Sequence, residues 1–426
     1  MEIKNKEKEI INNAINDNIS YQNKSEESTW FIFKTKLSNT KDMIKYNLIN
    51  FNTIYKFNSF ANLQIFHKKF QKNETFQNYR NKLNSFIYLS YRKNFNKIKS
   101  YRTKNFFTSD CGWGCMIRSS QMILARAIFK ILKTQGIKDK IERKIKTIQY
   151  FLDNPIPKDN IPQQLISYKN NLLKKNTNKN EAIIKGIYSP FSIRMISNLG
   201  EIFKKSAGEW FSDVNLPLIY NIINSELKVI PDLKIYPFLS NIILKDIIND
   251  SFELINDDNN NNNNEENFLL YDNKKYVFKK MGLIFVSVRI GLYTISPEYF
   301  PSLNELFSCK EYLGFIGGKN FQASYFIGYT GNYILYIDPH YAQNTIENIN
   351  NINDIASYNV KDLFQLQYKN LQTAMTLGFL FRNLKEFNGL KNFLENYSKK
   401  EYSCFSFQYE NVPLKEFESE KEKDDF

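Results

Sequence analysis

Cys115 follows Gly112-Trp113-Gly114 where a helical pattern begins, and Asp338-Pro339-His340 closes a strand pattern more than two hundred residues later. Together they supply a thiol nucleophile, an imidazole base and a carboxylate able to orient the ring, the three roles that thiol-based acyl transfer requires. The chain has only two histidines, His67 and His340, so any histidine-dependent step must use one of them. His340 has a carboxylate two residues away, whereas His67 lies among Phe66, Lys68, Lys69 and Phe70 in a packing or surface context. Each motif also has a purely structural reading: a buried cysteine at a helix cap, and a strand-ending turn with a surface histidine.

The elements that must position these groups follow from periodicity. Ile117, Gln121, Leu124, Ile128 and Ile131 recur near one face at helical spacing, with Arg118 and Arg126 set apart. A helix starting at Cys115 places the thiol at the positive end of the dipole, which favours the thiolate. Gly112 and Gly114 suit a tight approach of backbone. Residues 325–329 and 333–337 read as two strands joined by Thr330-Gly331-Asn332. If the strand continues, its period of two puts Asp338 and His340 on one face, where the carboxylate can fix the imidazole tautomer.

Other chemistries lack their signatures. Cys111 and Cys115 lie four apart, and Cys309 and Cys404 stand alone, with no Cys-x-x-Cys pair. No metal site and no cofactor is expected, since no phosphate-cradling glycine loop occurs either.

Several ordered blocks resemble one family. Residues 91–95 (Tyr91-Arg92-Lys93-Asn94-Phe95), 108–118 around Cys115, Gln121-Met122, 288–292, 313–319, 325–329 and 338–343 are similar, in order, to the autophagins, cysteine peptidases that process a ubiquitin-like autophagy modifier. The resemblance covers roughly residues 60 to 410 and implies Cys115 as nucleophile, His340 as base and Asp338 as its orienting carboxylate. It implies Tyr91 as the second oxyanion donor, because Ser109 stands where papain relatives carry glutamine. It also implies a gate formed by Trp210 and by Gly317, Gly318 and Lys319, although Ser212-Asp213 and Asn320 depart from the family pattern there. The implied substrates are the modifier precursor and its phosphatidylethanolamine conjugate, with peripheral membrane contact and a monomeric state. A catalytically silent modifier-binding protein of the same fold is the alternative, and a papain-fold deubiquitinase is disfavoured by the matching blocks.

Composition narrows the setting. The net charge is +14, but the lysines are scattered among asparagine and isoleucine, and no nucleic-acid motif accompanies them. No nucleic-acid partner is expected; a diffuse attraction to acidic lipid surfaces remains open. Four cysteines, no signal-like start and no apolar stretch of spanning length lead to the expectation of a cytoplasmic protein with free thiols.

The expected organisation is an Asn/Lys-rich extension over 1–55, a catalytic domain over 56–413 with insertions near 137–186 and 255–267, and a charged tail over 414–426. Residues around 75 to 92 read as helical, Asn94 to Gly114 as a loop, and Ser192 to Lys205 as an amphipathic helix. Six consecutive asparagines from Asn259 mark a surface insertion. Helices first and strands later suit an α+β, papain-like fold with a small accessory subdomain.

Overall fold

A computed structural model describes residues 63–71, 76–103, 105–153, 169, 171, 189–255, 268–319, 322–347, 349 and 353–410. The extension over 1–55, the asparagine run, the tail over 414–426 and most of 154–186 lie outside the described residues.

The architecture is mixed α+β. Its centre is the helix Cys115–Thr134, which packs against the strands Gln322–Thr330 and Tyr312–Lys319. At 1.5 Å per residue this helix is about 30 Å long. Ile117, Gln121, Leu124, Ile128 and Ile131 are all buried, as their spacing predicts. Arg118 differs from expectation: instead of standing apart it is fully buried, because carboxylates of Asp110 and Asp153 reach it from two sides.

The large sheet runs, edge to edge, through Phe364–Gln367, Tyr333–Ile337, Gln322–Thr330, Tyr312–Lys319, Ala374–Phe381, Met281–Arg289 and Leu233–Leu239. Neighbours are antiparallel except Met281–Arg289 beside Leu233–Leu239. The strand Met281–Arg289 is buried at every position but Arg289, so it reads as a continuous apolar run, not an alternating one. The predicted hairpin forms, with Tyr325 opposite Ile337 and Thr330 opposite Tyr333.

Two segments depart from their sequence reading. The helix near 75–92 ends at Leu83, and the chain then turns and continues without regular structure through Phe86, Ile87, Leu89 and Tyr91, all buried. Its backbone is paired elsewhere: Tyr88 N–H donates to the Tyr358 carbonyl at 2.9 Å, and Tyr91 N–H to the Pro339 carbonyl at 2.9 Å. Asn94 to Gly114 is not a loop, since Arg92–Lys99 and Phe106–Ser109 pair as an antiparallel hairpin. Its first strand lacks the alternation of a regular strand: the buried residues Arg92, Phe95 and Ile98 recur every three positions, because the register shifts between Lys93 and Ile98 and Asn94 takes φ +67°.

The helix Lys140–Gln149 packs on the central helix, with Ile148 and the following Phe151 buried. The helix Ile193–Leu199 continues as a 3-10 turn to Phe203 within the segment predicted to be helical. A small antiparallel sheet of Phe252–Leu254, Lys274–Phe278 and Leu269–Tyr271 flanks the asparagine run. Among the described residues no helix is long and apolar enough to cross a membrane.

Candidate active site

The thiol is placed by a tight turn. The Asp110 carbonyl accepts the N–H of Trp113 at 3.2 Å and of Gly114 at 2.9 Å. Gly112 adopts φ +83°, a left-handed conformation that a side chain would strain. Gly114 is needed for space: a Cβ there would stand 2.5 Å from Asp110 Oδ2. The helix begins at the next residue, so Cys115 sits at its N-terminus, 1 % exposed.

The imidazole arrives from the far end of the hairpin. Asp338 and His340 follow the strand Tyr333–Ile337 and are both buried. One Asp338 oxygen, Oδ1, contacts His340 Nδ1 and also accepts the His340 backbone N–H at 2.9 Å. The Tyr88 hydroxyl donates to the Asp338 carbonyl at 2.8 Å. His340 in turn hydrogen-bonds the Cys115 sulfur, as do the Tyr91 hydroxyl and the Ala323 backbone N–H. The Tyr91 and His340 rings meet edge to face, 5.3 Å between centroids at 89°.

These contacts reverse the effect of burial on both groups. Enclosure alone pushes the Cys115 thiol up, but the hydrogen bond and charge of His340, with Ala323 and Tyr91, bring it below the ordinary thiol value. Enclosure alone pushes His340 down, and the Asp338 carboxylate and Cys115 sulfur outweigh it, raising the imidazole above its usual range. A lowered thiol beside a raised imidazole favours a thiolate–imidazolium pair over a wide pH interval.

A buried charge network holds the turn. Arg118 Nε lies 2.6 Å from Asp110 Oδ2, and its two terminal nitrogens lie 3.0 Å from the two Asp153 oxygens. Arg118 also donates to Gln121 Oε1 at 3.2 Å, and Gln121 Nε2 to the Phe191 carbonyl at 2.7 Å. Asp110 Oδ1 accepts the Arg92 N–H at 2.6 Å, which links the turn to the residue after Tyr91. Burial pushes the Asp110 carboxyl up, against the pull of Arg118.

Around the thiol, Trp210, Met116 and Ala342 pack on the cluster of Tyr91, Cys115 and Ala323. Gly317 and Gly318 lie in the strand Tyr312–Lys319, which Lys319 ends; Asn320 and Phe321 lie outside the described residues. A Cβ on Gly318 would meet Gln372 Oε1 at 2.3 Å. His67 is not part of this group: it lies within electrostatic range of Lys82, Lys130, Arg126 and Lys310. Sequence reasoning missed Ala323, whose contribution is a backbone N–H with no side-chain signature. It also missed Asp110 and Asp153, whose pairing needs the fold. Among the described residues no three His, Cys, Asp or Glu side chains gather so as to hold a metal ion.

Against this geometry the comparisons with known proteins are specific. The family model of the peptidase C54 catalytic domain matches residues 76–393. The chain belongs to the peptidase C54 family. Among its relatives is cysteine protease ATG4D of Xenopus laevis, 26% identical over 326 residues, covering 71% of this chain and 64% of that protein. The probable cysteine protease ATG4 of Debaryomyces hansenii is 25% identical over 303 residues, covering 70% of this chain and 51% of that protein. Cysteine protease ATG4C of Xenopus laevis is 27% identical over 339 residues, covering 75% and 72%. The chain therefore spans 64% and 51% of the length of the first two of these relatives.

Proposed function

We propose that this C54 chain is a thiol endopeptidase that cleaves after the C-terminal glycine of a ubiquitin-like autophagy modifier. The observation that carries the reading is the contact chain Cys115–His340–Asp338 at a helix N-terminus, with Tyr91 on the same sulfur. Membership of a peptidase family and relatives named as ATG4 cysteine proteases support the substrate class.

In this account the papain-like catalytic unit spans 56–413. The Cys115 thiolate attacks the glycine carbonyl, and the developing oxyanion is held by the Tyr91 hydroxyl and the Cys115 N–H. Protonated His340, oriented by Asp338, gives its proton to the leaving amine; a water activated by His340 then hydrolyses the thioester. The glycine passes beneath Trp210 and the segment Gly317-Gly318-Lys319, which act as a gate. In the precursor the leaving amine belongs to a peptide, and in the lipidated form to phosphatidylethanolamine. The acyl half is identical, so one site matures the precursor and releases the conjugate. The enzyme acts as a cytoplasmic monomer in peripheral contact with membranes.

The test is cleavage of a modifier fusion carrying a C-terminal extension, beside a ubiquitin fusion and lipid-linked modifier on liposomes. Cleavage of both modifier substrates, lost in Cys115→Ala and absent on ubiquitin, is expected. Binding without cleavage would replace the reading by a silent docking role. Cleavage of the precursor with failure on the lipid amide would remove the dual-substrate part.

A further inference from the structure

The rear half of the central helix carries a second constellation that the peptidase chemistry does not use. Arg126 lies 11 residues beyond Cys115 on the same helix, about 16 Å along its axis. Its guanidinium carbon sits 3.8 Å from the Phe66 ring centre and 4.8 Å from that of Phe86, two rings stacked 5.7 Å apart. Its Nε is sealed from water and has no hydrogen-bond partner. Lys82, from the last turn of the helix Phe76–Leu83, stands 6.0 Å from the same Phe66 ring. Lys130, one turn beyond Arg126, reaches the Lys310 carbonyl at 3.3 Å. His67, next to Phe66 in the turn between Leu63–Ile65 and Lys68–Lys69, lies within electrostatic range of Lys82, Lys130, Arg126 and Lys310, whose charges add to burial in pushing it down.

His67, Lys82 and the pair Arg126 and Lys130 come from three separate chain segments, so the fold, not local composition, has gathered them. Among the described residues no carboxylate pairs with Arg126, Lys82 or His67. Glu386 and Glu311 bear on Lys130 alone, and Glu386 is already engaged by Arg382, whose Nε lies 3.0 Å from it. Crowding and burial show in the ammonium groups: enclosure, then Arg126 and Lys68, push Lys82 down to about 8, and enclosure, then Arg126 and Arg382, push Lys130 down to about 7. Proximity to two aromatic rings offsets part of the Arg126 cost, but leaves Nε without a partner. Uncompensated partly buried charge is destabilising unless something occupies the site.

We propose that His67, Lys82, Arg126 and Lys130 form a binding site for a phosphate group, presented on a lipid headgroup or free in solution. A phosphate offers several acceptor oxygens and up to two negative charges at one point, which suits donors converging from separate elements. The guanidinium, held over the Phe66 and Phe86 rings, is the preorganised member, and the two lysines close on the anion as point charges.

The test uses the full chain. Inorganic phosphate is titrated by calorimetry and by thermal melting against sodium chloride at equal ionic strength. Saturable binding is expected, with a rise in Tm that chloride does not reproduce, and affinity about tenfold weaker for Lys82→Gln or Lys130→Gln. Both replacements are at partly exposed positions and are expected to leave unliganded melting unchanged, which checks the fold. Phosphatidylcholine vesicles with and without a phosphoinositide separate the sources: Lys82-dependent capture by the phosphoinositide vesicles assigns a headgroup, and phosphate binding without capture assigns a soluble phosphate. Equal stabilisation by chloride and phosphate, or phosphate affinity unchanged in the Lys82→Gln/Lys130→Gln double variant, would overturn the site.

Discussion

Arg118 and Arg126 lie about two turns apart on one helix, yet their surroundings are opposite. Arg118 is sealed in the core with its charge matched by Asp110 and Asp153 and its remaining donor on Gln121. Arg126 lies over phenylalanine rings with further cations around it and an unused Nε. The first arrangement is complete without a ligand, and its task is to fix the turn that presents Cys115. The second is incomplete. A saturated charge network is scaffold, and an unsaturated one of the same residue type points to something the chain binds.

The sharpest way to break this contrast is to remove each guanidinium in turn. Arg118→Met leaves two buried carboxylates unpaired and should cost roughly 3–5 kcal/mol in chemical denaturation. Replacing Asp110 and Asp153 by Asn in the same chain should recover part of that loss, because the uncompensated charges are gone. Arg126→Met should change stability by no more than about 1 kcal/mol, since lost ring contacts and relieved repulsion oppose each other. Equal large losses for the two would erase the distinction.

At the front end the chemistry depends on charge matching as well. Asp338→Asn should lower kcat/KM about a thousandfold, because His340 loses the carboxylate that holds it up and oriented. The direction in pH follows from the raised imidazole. In the parent chain the alkaline limb of the pH–rate profile falls above the usual histidine range, and in Asp338→Asn it moves down. Tyr91→Phe should cost about a hundredfold in kcat, because the hydroxyl that already holds the resting Cys115 sulfur is the proposed oxyanion donor. His67→Ala should leave peptidase turnover within about twofold, as its place among Lys82, Arg126 and Lys130 implies.

What could be read from the sequence divides along the same line. That Cys115, Asp338 and His340 could meet was legible because the three side chains stand at the ends of periodic elements, and the hairpin turn Thr330-Gly331-Asn332 announced itself. The hairpin of Arg92–Lys99 and Phe106–Ser109 read as a loop, because the buried residues of its first strand recur every three positions across a register shift. Arg118 was placed off the buried face, because the rule that charges face water fails once Asp153, 35 positions away, is folded against it. The Ala323 N–H at the sulfur leaves no mark in a sequence at all. The cation cluster needed three segments to be brought together.

Cys111 gives the internal control for the most direct test. Although the residue is exposed, enclosure of its thiol and the Asp110 carboxylate push it up to about 11. The rate of iodoacetamide alkylation at each cysteine, followed by mass spectrometry across pH, reports which thiol is ionised. Cys115 is expected to keep its full rate well below the ordinary thiol value while Cys111 reacts only at high pH. His340→Ala is expected to shift Cys115 upward, since burial then acts unopposed. Cys115 titrating at or above the ordinary thiol value in the intact chain, with no response to loss of His340, would contradict the thiolate–imidazolium pair on which the whole account rests.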